Sequence, residues 1–235
     1  MISKTKEPKL ISGEDRTYRT KKLAILGLIT AMAYVAVMIF RLPIIPAVPF
    51  LDLEFKCAII MIGAFIFGPL SGISMTVAVC LVEMFTISDT GIIGCIMNII
   101  ATGCFVCPAA LIYKNRRTVA SAVAGLAVGT TAATVAMVLW NYIVTPMYMN
   151  VPREAVVSLL IPAFIPFNLL KAAINGGIVL VLYKPIVSAL RKQNLIPESK
   201  ASNSGGVPAI AGTIITGSLV LLTCVLIVLA FNGVI

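Results

Sequence analysis

The stretch PFNLLKAAING, residues 166–176, sets an ammonium group, Lys171, into an otherwise apolar run. Asn168 lies three residues before it and Asn175 four residues after, so on a helix all three share one face. A lysine near the centre of a bilayer costs about 3 kcal/mol even on lenient insertion scales. A buried acid or a ligand must offset that cost. Amides donate and accept hydrogen bonds whereas the ammonium only donates, so this face can receive a polar small molecule, a carboxylate included. The structural alternatives are an ion pair with Glu83 or snorkelling of the side chain to the interface. A second polar point is LWNYIVTP, residues 139–146, where Asn141 stands between Trp140 and Tyr142 at the end of an apolar run. Such aromatics alone are ordinary members of an interfacial belt.

The chain that must position these groups has 235 residues, 60% of them hydrophobic and 11% charged, with a mean hydropathy of +1.05. Soluble domains are roughly 45–50% apolar and about 25% charged, so this is an integral membrane protein. Histidine is absent, which removes serine–histidine triads, HExxH sites and histidine-ligated metals. Of the six cysteines, Cys104 and Cys107 share a helical face. No second pair completes a four-ligand site, so they read as small packing residues. GPLSGIS lacks the lysine of a phosphate-binding loop. Any ATP-driven activity therefore needs another chain.

Apolar spans are expected at about 23–40, 55–67, 70–87, 91–113, 118–142 and 167–190, with a further one at 208–234. A basic leader (1–22) precedes them, a six-helix membrane domain occupies 23–190, and a Ser/Gly-containing linker (191–207) leads to an additional C-terminal transmembrane helix within 208–235. The second span is short, and GPLSG (68–72) makes a tight turn after it. Lys114, Arg116, Arg117, Arg191, Lys192 and Lys200 fall on the same side as the leader, while Arg41, Lys56 and Arg153 fall opposite. The positive-inside bias places the N-terminus in the cytoplasm and the protein in the plasma membrane. The net charge of +9 reads as topology and lipid contact, with no nucleic-acid role.

The connectors 41–54 and 143–166, apolar but proline-rich, are expected to be irregular and to lie over an outward-facing pocket. Asp52, Glu54, Glu83 and Asp89 fall on that side. Small residues make flat strips at Gly27-x-x-x-Ala31 in the first span and Gly125-x-x-x-Gly129-x-x-x-Ala133 in the fifth. The fifth-span strip is expected to pack inside the bundle; the first could face the bundle or another subunit.

Taken together, the small-residue strip, FLDLEFK (50–56), GAFIFGPLSG (63–72), NYIVTP (141–146) and PFNLLKAAING resemble the S components of energy-coupling factor (ECF) vitamin transporters, and within them the riboflavin-specific branch. The resemblance covers about residues 20–192. It implies an all-α six-helix S-component bundle, without enzymatic activity or cofactor, that binds riboflavin as its transported substrate. It further implies a transmembrane coupling subunit and two cytoplasmic ATPases as partners, with the S component toppling in the membrane to turn its loaded pocket inward. By the same resemblance Gly27 and Ala31 face the coupling subunit. Asn141, Asn168 and Lys171 hold the isoalloxazine ring. Trp140 and Phe167 pack on that ring, and Leu51, Asp52 and Glu54 of the first outer loop touch the ligand. The final span exceeds what a six-helix S component needs. Three other readings stay open: a carboxylate vitamin such as biotin, pantothenate or folate; an intramembrane Ser/Lys enzyme using Ser158 or Ser188; and a purely structural subunit.

Overall fold

The computed structural model describes residues 13–44, 48, 51–193, 195 and 207–231. The order is α1 (Gly13–Ile39), β1 (Leu42–Pro43), β2 (Asp52–Leu53), α2 (Lys56–Phe67), α3 (Pro69–Thr86), α4 (Gly91–Arg116), α5 (Val119–Ile143), α6 (Thr145–Met149), α7 (Arg153–Leu159), a π-helical turn (Leu160–Phe164), α8 (Ile165–Lys192) and α9 (Val207–Phe231). Helices α1 (from Arg16), α3, α4, α5 and the continuous Arg153–Leu190 run are long and apolar enough to cross a membrane. The result is the all-α bundle expected.

Helix α2 has only 12 residues, about 18 Å of rise against a hydrocarbon core of about 30 Å. It is short because it need not meet lipid: it packs against α1, α3, α4 and α8, and Ala58, Ile60 and Met61 are fully buried. Gly68, at φ +95°, and Pro69 make the turn into α3. Glycine supplies the positive φ, and proline at the first helical turn lacks only an N–H that would be orphaned anyway.

The fifth-span strip packs as expected. A Cβ on Gly125 would lie 2.7 Å from the Ala109 carbonyl oxygen, and one on Gly129 would lie 2.3 Å from that of Phe105. The backbones of α4 and α5 thus touch, which only small residues permit. Helix α9 meets α8 through another close approach, where a Cβ on Gly217 would come within 3.0 Å of the Gly177 oxygen.

Three expectations change. First, α1 begins at Gly13, so part of the basic leader is helical; nothing between Gly13 and Lys22 breaks a helix, and Arg16 to Lys21 are exposed. Residues 1–12 of the leader, most of the linker and residues 232–235 lie outside the described residues. Second, 143–166 is helical rather than irregular. Its prolines punctuate helices: Pro146 enters the first turn of α6, and Pro152 precedes α7. Pro166 falls in the first turn of α8, which continues from a π turn closed by Ile165 N–H to the Leu160 oxygen. Pro162 and Pro166 have no N–H to donate, and the wide turn lets the helix continue through that gap. Third, the first outer loop holds a short antiparallel ladder, Leu42 with Leu53 and Pro43 with Asp52. Residues 45–47, 49 and 50 of that loop lie outside the described residues. Val48 and Leu51 pack with Val156, Phe164 and Phe167, which docks the loop onto α7 and α8.

Candidate ligand-binding site

One end of the bundle carries a cleft built by the C-terminal ends of α1, α3 and α5, the N-terminal parts of α4 and α8, and the β1–β2 loop. Counted with its open mouth, it holds about 710 Å³ of empty space. Asn141, Phe167, Asn168 and Lys171 line it, as do Leu51, Asp52 and Glu54. The lysine and arginine cluster at Lys114, Arg116 and Arg117 lies at the other end of α4.

Lys171 is answered by Glu54, not by Glu83, the structural alternative considered from the sequence. Its Nζ donates to Glu54 Oε1 at 2.7 Å and to the Asp52 carbonyl at 3.2 Å, and sits 5.8 Å from the Phe167 ring centroid. Glu83 instead accepts from Lys56, whose Nζ is 2.6 Å from Glu83 Oε2 and 3.1 Å from Glu54 Oε2. The charges therefore alternate along a chain, Lys171–Glu54–Lys56–Glu83. Lys56 is fully buried, and a buried charge persists only when paired and hydrogen-bonded. Burial pushes the Glu54 carboxyl up, but the ammonium groups of Lys171 and Lys56 outweigh it and hold Glu54 at about 2.

Asn175, on the Lys171 face, is structural. Its Oδ1 accepts from Ala58 N at 2.8 Å, and its Nδ2 donates to the Glu54 and Lys171 carbonyls at 3.0 and 2.8 Å. No side chain of its own flank caps α2, so a residue 117 positions away satisfies an orphan N–H of its first turn. Asn168 donates to the Phe164 oxygen at 2.8 Å, which leaves its carbonyl and a second N–H for a ligand. Asn141 is held by Met137 and by Thr145. Arg41 forms a latch over the cleft, pairing with Asp52, lying 3.5 Å from Asp89 and donating to the Ile87 carbonyl at 2.8 Å.

Trp140 departs from expectation. It lines an adjoining small pocket that shares Thr90 and Met97 with the cleft, because it is the neighbour of Asn141 on α5 and a one-residue step turns a helical side chain by about 100°. Gly27 and Ala31 lie on an exposed face of α1; a Cβ on Gly27 would meet nothing within 4 Å. The enzyme reading fails on geometry. Ser158 is exposed on α7 and donates to Ala155, while Ser188 lies seventeen residues along α8 from Lys171, about 25 Å of rise. Sequence reasoning missed Arg41 and Asn98, which line the cleft, and Lys56, which is buried between Glu54 and Glu83. Lys56 carried a readable signal of its own, a charge opening an apolar helix just after two acids.

Residues 21–183 match the family described as ECF transporter, substrate-specific component. The riboflavin transporter RibU of Streptococcus thermophilus is 30% identical over 183 residues, covering 74% of this chain and 86% of that protein. RibU of Staphylococcus aureus is 28% identical over 182 residues, covering 74% and 94%. The riboflavin transporter FmnP of Bacillus subtilis is 26% identical over 191 residues, covering 75% and 99%. A solved S component of a bacterial ECF transporter superposes with a TM-score of 0.64 at 27% identity, over 74% of this chain and 99% of that one. The family match spans α1 through most of α8 and leaves α9 beyond it. With its helical bundle, its cleft at one end and that match over well more than half its length, the chain belongs to the substrate-specific components of ECF transporters.

Proposed function

We propose that this chain captures riboflavin at the outer face of the plasma membrane and delivers it inward with a transmembrane coupling subunit and two ATPases. The observation that carries the ligand assignment is the neutralisation of Lys171 by Glu54. The cleft thereby offers carboxamides, a partnered ammonium and the Phe167 ring, with no unpaired cation among the described α8 residues that line it. That suits a neutral, flat, hydrogen-bonding ring better than the carboxylate of biotin, pantothenate or folate, which would need a free positive charge. The names of the three relatives support the same ligand. Asn168 and Asn141 address the donor–acceptor edge of the isoalloxazine, and Lys171 a ring carbonyl.

The N-terminus is placed in the cytoplasm by the positive-inside rule, which puts the cleft outside. The exposed strip of Ala24, Gly27 and Ala31, flanked by Leu23 and Leu28, suits close approach of a coupling-subunit helix. Helix α9, packed on α8, is assigned as a seventh span. Titration of ligand-stripped protein, read by quenching of flavin fluorescence, tests the assignment. One-to-one saturation that Asn168→Ala weakens at least about tenfold is expected. Folded protein that ignores riboflavin, or binds biotin, pantothenate or folate as tightly, would sink it.

A further inference from the structure

The α8 side of the cleft accounts for the ring, but the opposite side, from α3 and α4, has a chemistry of its own. Glu83 is buried, with its side chain only 6% exposed, and it lines the cleft. Lys56 occupies its Oε2, whereas Oε1 is a buried acceptor with no partner among the described residues. Nearby in the cleft wall are the Asn98 carboxamide and the hydroxyls of Ser88 and Thr90, which lie 3.2 Å from each other. An acceptor-only carboxylate oxygen beside groups that both give and take hydrogen bonds matches a string of hydroxyls. Each hydroxyl donates once and accepts up to twice, and an O–H donated to a carboxylate makes a short, strong bond.

We propose that Glu83 and Asn98, with Ser88 and Thr90, form a polyol subsite that takes the ribityl chain of riboflavin. This deepens the reading above and rests on it. The ring then lies against Phe167, Asn168 and Lys171 on α8. The hydroxylated chain crosses toward α3 and α4, where it supplies the missing donor to Glu83 Oε1. Leaving that oxygen without a donor is unfavourable, so a flavin lacking hydroxyls forfeits the contact. Specificity for the polyol is thus set on α3 and α4, apart from recognition of the ring.

The test compares riboflavin with lumiflavin, which keeps the ring and carries a methyl group in place of the ribityl chain. Dissociation constants are measured for the wild type, Glu83→Gln and Asn98→Ala. Wild type is expected to prefer riboflavin by at least about tenfold. Glu83→Gln should shrink that preference by about tenfold, and Asn98→Ala by about threefold to tenfold, with lumiflavin affinity unchanged. Unchanged lumiflavin binding also certifies that each variant is folded; Asn98 stands outside the chain of ion pairs and supplies a variant free of that disturbance. Where lumiflavin binding is too weak to measure, a loss of riboflavin affinity in both variants at unaltered thermal stability supports the subsite. Equal losses for both flavins in Glu83→Gln would give the carboxylate to the ring edge and overturn the proposal. So would a wild type indifferent to the ribityl chain, or variants that keep the full preference. Failure of both flavins to bind folded wild-type protein would instead bring down the riboflavin assignment itself.

Discussion

Lys56 Nζ lies 2.6 Å from Glu83 Oε2 and 3.1 Å from Glu54 Oε2, so one ammonium at the start of α2 is shared by two carboxylates from different parts of the chain. Glu54 in turn holds Lys171. The ligand cleft and the bundle core are thereby joined by a single electrostatic chain, and perturbing its two ends has different consequences.

Lys56→Met removes the fully buried link and leaves Glu54 and Glu83 facing each other without the cation between them. Loss of one partner from a buried pair costs about 3–5 kcal/mol. The variant should unfold at markedly lower temperature in detergent, and Glu83→Gln in the same chain should recover part of the loss. A melting temperature equal to the wild type's would show that the chain is not structural.

Lys171→Met acts on the ligand more than on the fold. Lys56 still partners Glu54, so the protein should remain folded while riboflavin affinity falls at least about tenfold, a loss of about 1.4 kcal/mol or more. Fluorescence titration of the purified variant checks it; unchanged affinity would remove Lys171 from the site.

Asn175→Ala removes bonds to Ala58 N and to the Glu54 and Lys171 carbonyls. Each buried group left unsatisfied costs about 1–3 kcal/mol, so thermal stability should drop clearly. Asn175→Asp cannot donate to the two carbonyls and should not rescue it. Were either variant as stable as the wild type, Asn175 would not be the cap of α2.

Helix faces separate packing from partnership. Gly129→Ala drives a Cβ to within 2.3 Å of the Phe105 oxygen and should destabilise the isolated protein. Gly27→Trp meets open space in the isolated chain and should leave riboflavin binding intact. It should nonetheless block co-purification with the coupling subunit and transport in vesicles. Full transport by Gly27→Trp would move the docking surface elsewhere.

Glu54 gives the pH dependence. Its carboxyl is held at about 2 in the folded protein against an ordinary 4.5. Its contribution to stability is therefore complete above 4.5 and is lost as pH falls from there toward 2. With no histidine in the chain, no imidazole titrates between pH 5.5 and 8, and the melting temperature should stay level there and fall only as pH drops below about 4.5. A steep change near neutrality in thermal melts would point to a titrating group elsewhere.

The sequence by itself determined the membrane class, the helical spans and the face that bears Asn168 and Lys171, because apolar length and helical periodicity are local properties. The small residues at Gly125 and Gly129 announced a close helix contact for the same local reason. Only tertiary structure decided which acid answers Lys171. Glu54 and Glu83 lie 117 and 88 positions from it, and composition treats them alike; the docking of the first loop onto α7 and α8 brings Glu54 to Lys171 and leaves Glu83 to Lys56. The same holds for Asn175, whose face matched the site but whose amide is consumed by the start of α2, and for Trp140, which helix rotation turns out of the cleft. Side-chain partnership across a bundle depends on how helices cross and rotate, and no local pattern encodes that.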